Sequence, residues 1–136
     1  MSGPENTFIA SVHRYLPDAV YRMKNHNQYN GGIPDVWYSG SKTDLWIEYK
    51  FITLPKKDDT LIDLTSAKNP ILSHLQQQWL AERHKEGRNV AVIVGSKLGG
   101  VWMPNLDWSV TLSTYSFRTN TITRNAIAKI ITSLLM

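Results

Sequence analysis

Phe8, Ile9, Val12 and Leu16 recur at the three- and four-residue spacing of one helix face, and Pro17 predicts where that helix stops. Ser2-Gly3-Pro4-Glu5 ahead of them is a helix start, with proline at the first helical position and an acid in the first turn. Residues 19–24 suit a short strand, with Val20 and Met23 apolar. Residues 25–32 then form a polar connection of Asn, His, Gln and Gly. Two runs rich in Ile, Val, Leu, Trp and Tyr follow at 33–38 and 45–51, and Ser39, Gly40 and Ser41 between them supply turn residues, so the pair predicts a β-hairpin. Alternation puts Leu45, Ile47, Tyr49 and Phe51 on one side of the second strand and Trp46, Glu48 and Lys50 on the other.

Between residues 52 and 70 the pattern loosens into an exposed loop. Ser73 then opens a second helix with Leu75, Trp79 and Leu80 as its apolar face and Gly87 as its C-cap. The continuous apolar run at 90–95 predicts a strand buried on both faces, joined parallel to an earlier strand through a right-handed crossover. Gly99-Gly100 leads into a further strand or edge at 101–103. Asn120 or Thr121 is the expected cap of a last helix, whose stripe of Ile122, Ala126, Ile127, Ile130, Ile131, Leu134 and Leu135 is wide. The expected fold is α/β, one domain over 1–136, with a central mixed sheet of about five strands flanked by helices.

Three charges inside the hairpin change this picture. If the register brings Asp35 opposite Glu48, two carboxylates and the Lys50 ammonium converge on one patch, and paired acids need a cation between them. Hard oxygen ligands of this kind suit Mg²⁺, with Mn²⁺ as substitute. The plain alternative is a solvated hairpin face, since an acid and a lysine two residues apart on a strand are common. The four histidines, at 13, 26, 74 and 84, lack zinc spacing, and there is no Gly-rich phosphate loop or Ser/His/Asp order.

Composition bounds the rest. The absence of cysteine excludes disulfides and thiolate metal sites and fits a reducing cytoplasm. No apolar run is long enough to span a bilayer, and the opening MSGPENTF lacks a signal-peptide pattern. Fifteen Lys and Arg face eleven Asp and Glu, and removing Glu5, Asp35 and Glu48 as metal-neutralised leaves eight acids, an excess that leans toward a polyanion. Arg22, Lys24 and His26 upstream of the hairpin, and Lys56 and Lys57 downstream, are the candidate phosphate contacts; solvated surface is the alternative for each.

At Pro34-Asp35 and Glu48-Tyr49-Lys50 the chain resembles the PD-(D/E)XK nucleases. It resembles most the VRR-NUC and Holliday-junction-resolvase-like branch, through Glu5, Gly32-Ile33-Pro34-Asp35-Val36 and Ser73-x-x-Gln76-x-x-Trp79-Leu80. The resemblance covers about residues 5–95. It implies a restriction-endonuclease-like core and Mg²⁺-dependent hydrolysis of DNA, structure-selective for junctions or branches, in a bacterial or phage-infected cell. Asp35, Glu48 and the Tyr49 carbonyl would hold the metal and Lys50 would serve the reaction. Glu5 would be a third acid, against the alternative of a favourable charge at the helix start. Gln76 would reach the active site, or else close a capping box with Ser73; the two roles look mutually exclusive for one amide. The wide last-helix stripe suggests a homodimer, or else docking on the sheet.

Overall fold

The computed structural model describes residues 3–25, 31–66 and 68–136. In chain order these form α1 (Pro4–His13), β1 (Tyr21–Lys24), β2 (Val36–Ser39), β3 (Asp44–Phe51), β4 (Leu61–Ile62), α2 (His74–Lys85), β5 (Val90–Ser96), β6 (Gly99–Pro104), β7 (Leu112–Ser113), α3 (Thr114–Thr119) and α4 (Arg124–Leu135). Five strands make one mixed sheet in the order β1-β2-β3-β5-β6. Only β3 and β5 run parallel, with α2 in the connection between them.

The sheet separates two cores. Phe8, Ile9 and Val12 of α1 and Ile127, Ile131 and Leu135 of α4 pack on Val36, Tyr38, Leu45, Ile47, Tyr49, Ala91 and Ile93. Leu80 of α2, Leu64, Leu72 and Phe117 pack on Val90, Val92 and Val94 from the other side. Strand β5 therefore feeds both cores, which is why its sequence shows no polar face, and all seven of its residues are buried. A Cβ at Gly95 would lie 2.8 Å from the Phe8 ring, so glycine there lets α1 close on the sheet.

Several boundaries differ from expectation. Helix α1 stops at His13, and turns through Tyr15 and Leu16 carry the chain on to Pro17. The loop after β3 contains β4, which pairs with β7 in a separate two-stranded sheet, and α3 precedes the last helix. Thr123, not Asn120 or Thr121, caps α4 by accepting from the Ala126 N–H. Asn120 instead ends α3, and Ile122 bridges to Gly100 of β6. Leu75 is 58% exposed rather than core, and of the α4 stripe Leu134 is 43% exposed. No described helix is long and apolar enough to cross a membrane.

Candidate active site

The hairpin register sets the site. Val36 faces Ile47 and Trp37 faces Trp46, so the next step outward puts Asp35 opposite Glu48, the register on which the convergence of the two acids depends. Pro34 then lies opposite Tyr49. The Trp46 N–H bonds to Asn89 on the β5 side, so by alternation the N–H and C=O of Tyr49 point toward β2. Proline has no N–H to give the Tyr49 carbonyl a ladder partner. The Tyr49 N–H is taken up by Asp35 itself, donating to Oδ2 at 2.9 Å, while the Asp35 carbonyl accepts from Asn25 at 2.7 Å. The Pro-Asp pair thus ends the ladder, fixes one carboxylate and leaves a backbone oxygen beside it.

Glu48 is 2% exposed. Its Oε2 accepts from Gln76 Nε2 at 3.0 Å and lies 3.3 Å from Lys50 Nζ, while Oε1 is buried with no donor among the described residues. Burial, and next the charge of Asp35, push the Glu48 carboxyl up to about 8 against the pull of Lys50. Asp35 is also raised, by burial first, with the Tyr49 N–H and Lys50 opposing. Glu5 is raised by burial and then by Asp35, with Lys50 and Lys24 opposing. The three acids and Lys50 thus share one electrostatic neighbourhood. Within it the Asp35 and Glu48 carboxyls are coupled and titrate as a pair.

Gln76 corrects the expectation of exclusive roles. Its Oε1 accepts from the Ser73 N–H at 3.0 Å, its own N–H donates to Ser73 Oγ at 3.1 Å, and its Nε2 still reaches Glu48. An amide has an acceptor end and a donor end, and the capping box uses only the first of its side-chain ends. The cap therefore orients the donor at Glu48. Gly32, at φ +93°, sits where a Cβ would lie 2.5 Å from the Leu75 carbonyl, so the loop before Asp35 is pressed on the first turn of α2.

The remaining candidates spread out. Lys24 donates to Asn6 Oδ1 at 3.2 Å at the start of α1, within electrostatic reach of Glu5 and Asp35. Arg22 is spent on closing the end of α1, donating to the carbonyls of His13, Pro17 and Val20. Lys56 and Lys57 are exposed in the loop after β3. His26 lies outside the described residues.

Sequence reasoning did not find the buried chain beneath the site. His13 Nε2 meets Tyr38 Oη at 2.7 Å, and Tyr38 Oη meets Tyr49 Oη at 2.6 Å. Burial first, then Arg22 and Lys24, lower His13 to about 4, so it is neutral and ties α1 to the hairpin. The His13–Tyr38 and Tyr38–Tyr49 contacts span 25 and 11 positions, beyond any local signal.

No protein-family model and no curated protein matches the sequence. Among solved structures, the chain is similar to the Holliday junction resolvase Hjc of Archaeoglobus fulgidus, with a TM-score of 0.55 and 12% identity over 93% of this chain and 96% of that one. The chain shares the α/β fold of that resolvase. On that fold the Pro-Asp and Glu-x-Lys phrases fall on neighbouring strands and one sheet face.

The donor set fits a small hard cation. Asp35, Glu48 and a backbone carbonyl are oxygen donors, and the orphaned Glu48 Oε1 is the buried acceptor such an ion would satisfy. No cluster of three or more His, Cys, Asp or Glu at metal-binding geometry occurs among the described residues. Two carboxylates suit Mg²⁺, which keeps waters and substrate phosphates as its other ligands. A groove of about 450 Å³ between β6 and α4 lies away from these acids and is mainly apolar, so chemistry rather than volume selects the site.

Proposed function

We propose that the protein is a Mg²⁺-dependent DNA endonuclease, selective for junction or branched DNA. The observation that supports this most is the buried Glu48 oxygen without a donor, set beside Asp35 and 3.3 Å across Oε2 from Lys50. Asp35, Glu48 and the Tyr49 carbonyl would hold the metal, which when bound supplies Lewis-acid charge at the phosphate. Lys50 directs its ammonium at the charge that grows on the phosphoryl oxygens and orients the attacking water. Gln76 fixes the rotamer of Glu48, and Glu5 balances Lys50 from the start of α1. Lys24, Lys56 and Lys57 are the cations proposed to meet the DNA backbone, and two copies of the chain would cut paired strands.

A cleavage panel tests the reading. Linear duplex, flapped, single-stranded and four-way DNA are incubated with the protein in Mg²⁺, Mn²⁺ or chelator. Cleavage of branched substrates in Mg²⁺ and Mn²⁺, lost in chelator, is the expected result. Cutting that persists in chelator, or no cutting of any substrate, overturns it.

A further inference from the structure

Four aromatic rings cross the sheet face that carries the two acids. Tyr21 of β1 meets Trp37 of β2 with centroids 5.5 Å apart, Trp37 meets Trp46 of β3 at 6.2 Å, and Trp46 meets Trp79 of α2 at 5.3 Å. The row adjoins the carboxylates. Trp37 follows Asp35 by two residues and Trp46 precedes Glu48 by two, so strand alternation puts them on the same face, one side-chain row or about 7 Å away. Helix α2 confirms the shared face, since Gln76 reaches Glu48 and Trp79 reaches Trp46.

None of these rings has a part in holding the cation or serving the phosphate. Their interplanar angles of 68°, 40° and 60° are edge-on or tilted, so each contact occupies the face of one ring at most, and Arg83 covers a face of Trp79. Tyr21 is 57% exposed, and Met23, opposite Trp37 in the register, is 46% exposed. Trp37 and Trp46 are half-buried. Beside Trp46 opens a polar groove of about 350 Å³ that includes the exposed Arg88. Arg83 sits over Trp79, but its guanidinium is paired with Glu86 and Glu82, so Arg88 is the cation offered there.

We propose that the row is a stacking platform for unpaired bases of a DNA strand that runs from the groove at Arg88 to the carboxylate site. Bases inside a duplex are already stacked and have no face to offer, whereas every unpaired base does. The row crosses the strands, and Arg88, in the groove beside Trp46, and Lys50, two residues past Glu48 on β3, lie on either side of it along β3, where a backbone crossing the row needs cations. The substrate class follows: DNA with a single-stranded segment next to the cut. The position of the cut rests on the nuclease reading; the binding does not.

The test uses the full chain in Ca²⁺, with a thymidine oligonucleotide of about 12 nucleotides, within the usual footprint of such surfaces, against a duplex of equal length. Affinity is read by anisotropy and stacking by tryptophan fluorescence. The oligonucleotide is expected to quench the tryptophans. Tyr21→Ala and Trp37→Leu should each weaken its binding about 5- to 100-fold and leave duplex binding unchanged, with Trp37→Phe restoring most of the loss. Tyr21 is exposed enough that its loss leaves the fold intact. Wild-type affinity in both variants, an equal loss on duplex, or no quenching, as for a surface that takes a protein partner, overturns the proposal. Cleavage by wild type beside unchanged single-strand binding in the variants sinks the platform and keeps the nuclease. Loss of single-strand binding in a protein that cuts nothing does the reverse.

Discussion

Replacing Glu48 with Gln keeps the side-chain volume and removes the buried charge, so it should remove the pH dependence of stability that this carboxyl imposes. The folded carboxyl is pushed up to about 8 from an ordinary value of 4.5. The folded state therefore holds this proton more tightly than the unfolded chain, and the stability it contributes is present below pH 4.5 and lost as pH rises through 8. Across that window the loss is a little over ~1 kcal/mol per pH unit, on the order of 2–3 kcal/mol from pH 6 to 8. For a chain of this size that is a Tm shift of about 10 °C. Asp35 and Glu5 are raised in the same direction and stay in the variant, so the difference between the two proteins reports the loss of the Glu48 carboxyl together with its coupling to Asp35. Thermal unfolding in chelator at pH 6 and 8.5 is the assay. Wild type should lose about 10 °C more than Glu48→Gln over that interval, and Mg²⁺ should restore wild type at pH 8.5 while barely moving the variant. Equal pH dependence in the two proteins would refute the buried-charge argument.

Three further outcomes follow from the geometry. Gln76→Leu removes the acceptor of the Ser73 N–H and the donor to Glu48, so denaturant unfolding should show a loss of about 1–2 kcal/mol, and turnover should fall about 10- to 100-fold. Gly32→Ala puts a Cβ 2.5 Å from the Leu75 carbonyl at a backbone angle that disfavours it. A cost of about 1–3 kcal/mol by denaturant unfolding, with weaker Mg²⁺ binding by calorimetry, is expected. Sedimentation with and without DNA should give a dimer at micromolar concentration, since Leu134 leaves part of the α4 stripe uncovered; a monomer in both conditions speaks against two-copy cutting.

How much of this was legible depended on the range of the forces involved. The hairpin and the doubly buried β5 follow from alternation, turn residues and apolar runs, which act within a few positions, whereas the register that sets Asp35 against Glu48 is fixed only by the strand pairing. Strands β4 and β7 have two residues each and find each other across the loop after β3 and much of the chain, so no periodicity announces them. Helix α3 is only six residues long, too short to establish a helical period. The double use of Gln76 is hidden in the sequence because the capping-box spacing does not show that only the acceptor end of the amide is engaged. The His13, Tyr38 and Tyr49 chain depends on α1 meeting the hairpin, a tertiary event. The aromatic row was half visible, since alternation already put Trp46 on the face of Glu48, but its partner Trp79 comes from a helix 33 positions on.

The central claim is that Asp35 and Glu48 hold a cation while Lys50 serves the phosphate, and Lys50→Ala separates the two roles. Calorimetric titration of Mg²⁺ into the variant, paired with its cleavage of the branched substrate, is the measurement. Both oxygen ligands remain and a neighbouring positive charge is gone, so Mg²⁺ should bind at least as tightly as in wild type. Turnover should fall by orders of magnitude, because the ammonium acts only on the charge of the transition state. Asp35→Asn, in the same titration, should lose both metal affinity and cleavage. Mg²⁺-dependent cleavage at wild-type rate by purified Lys50→Ala or Asp35→Asn protein would contradict the account.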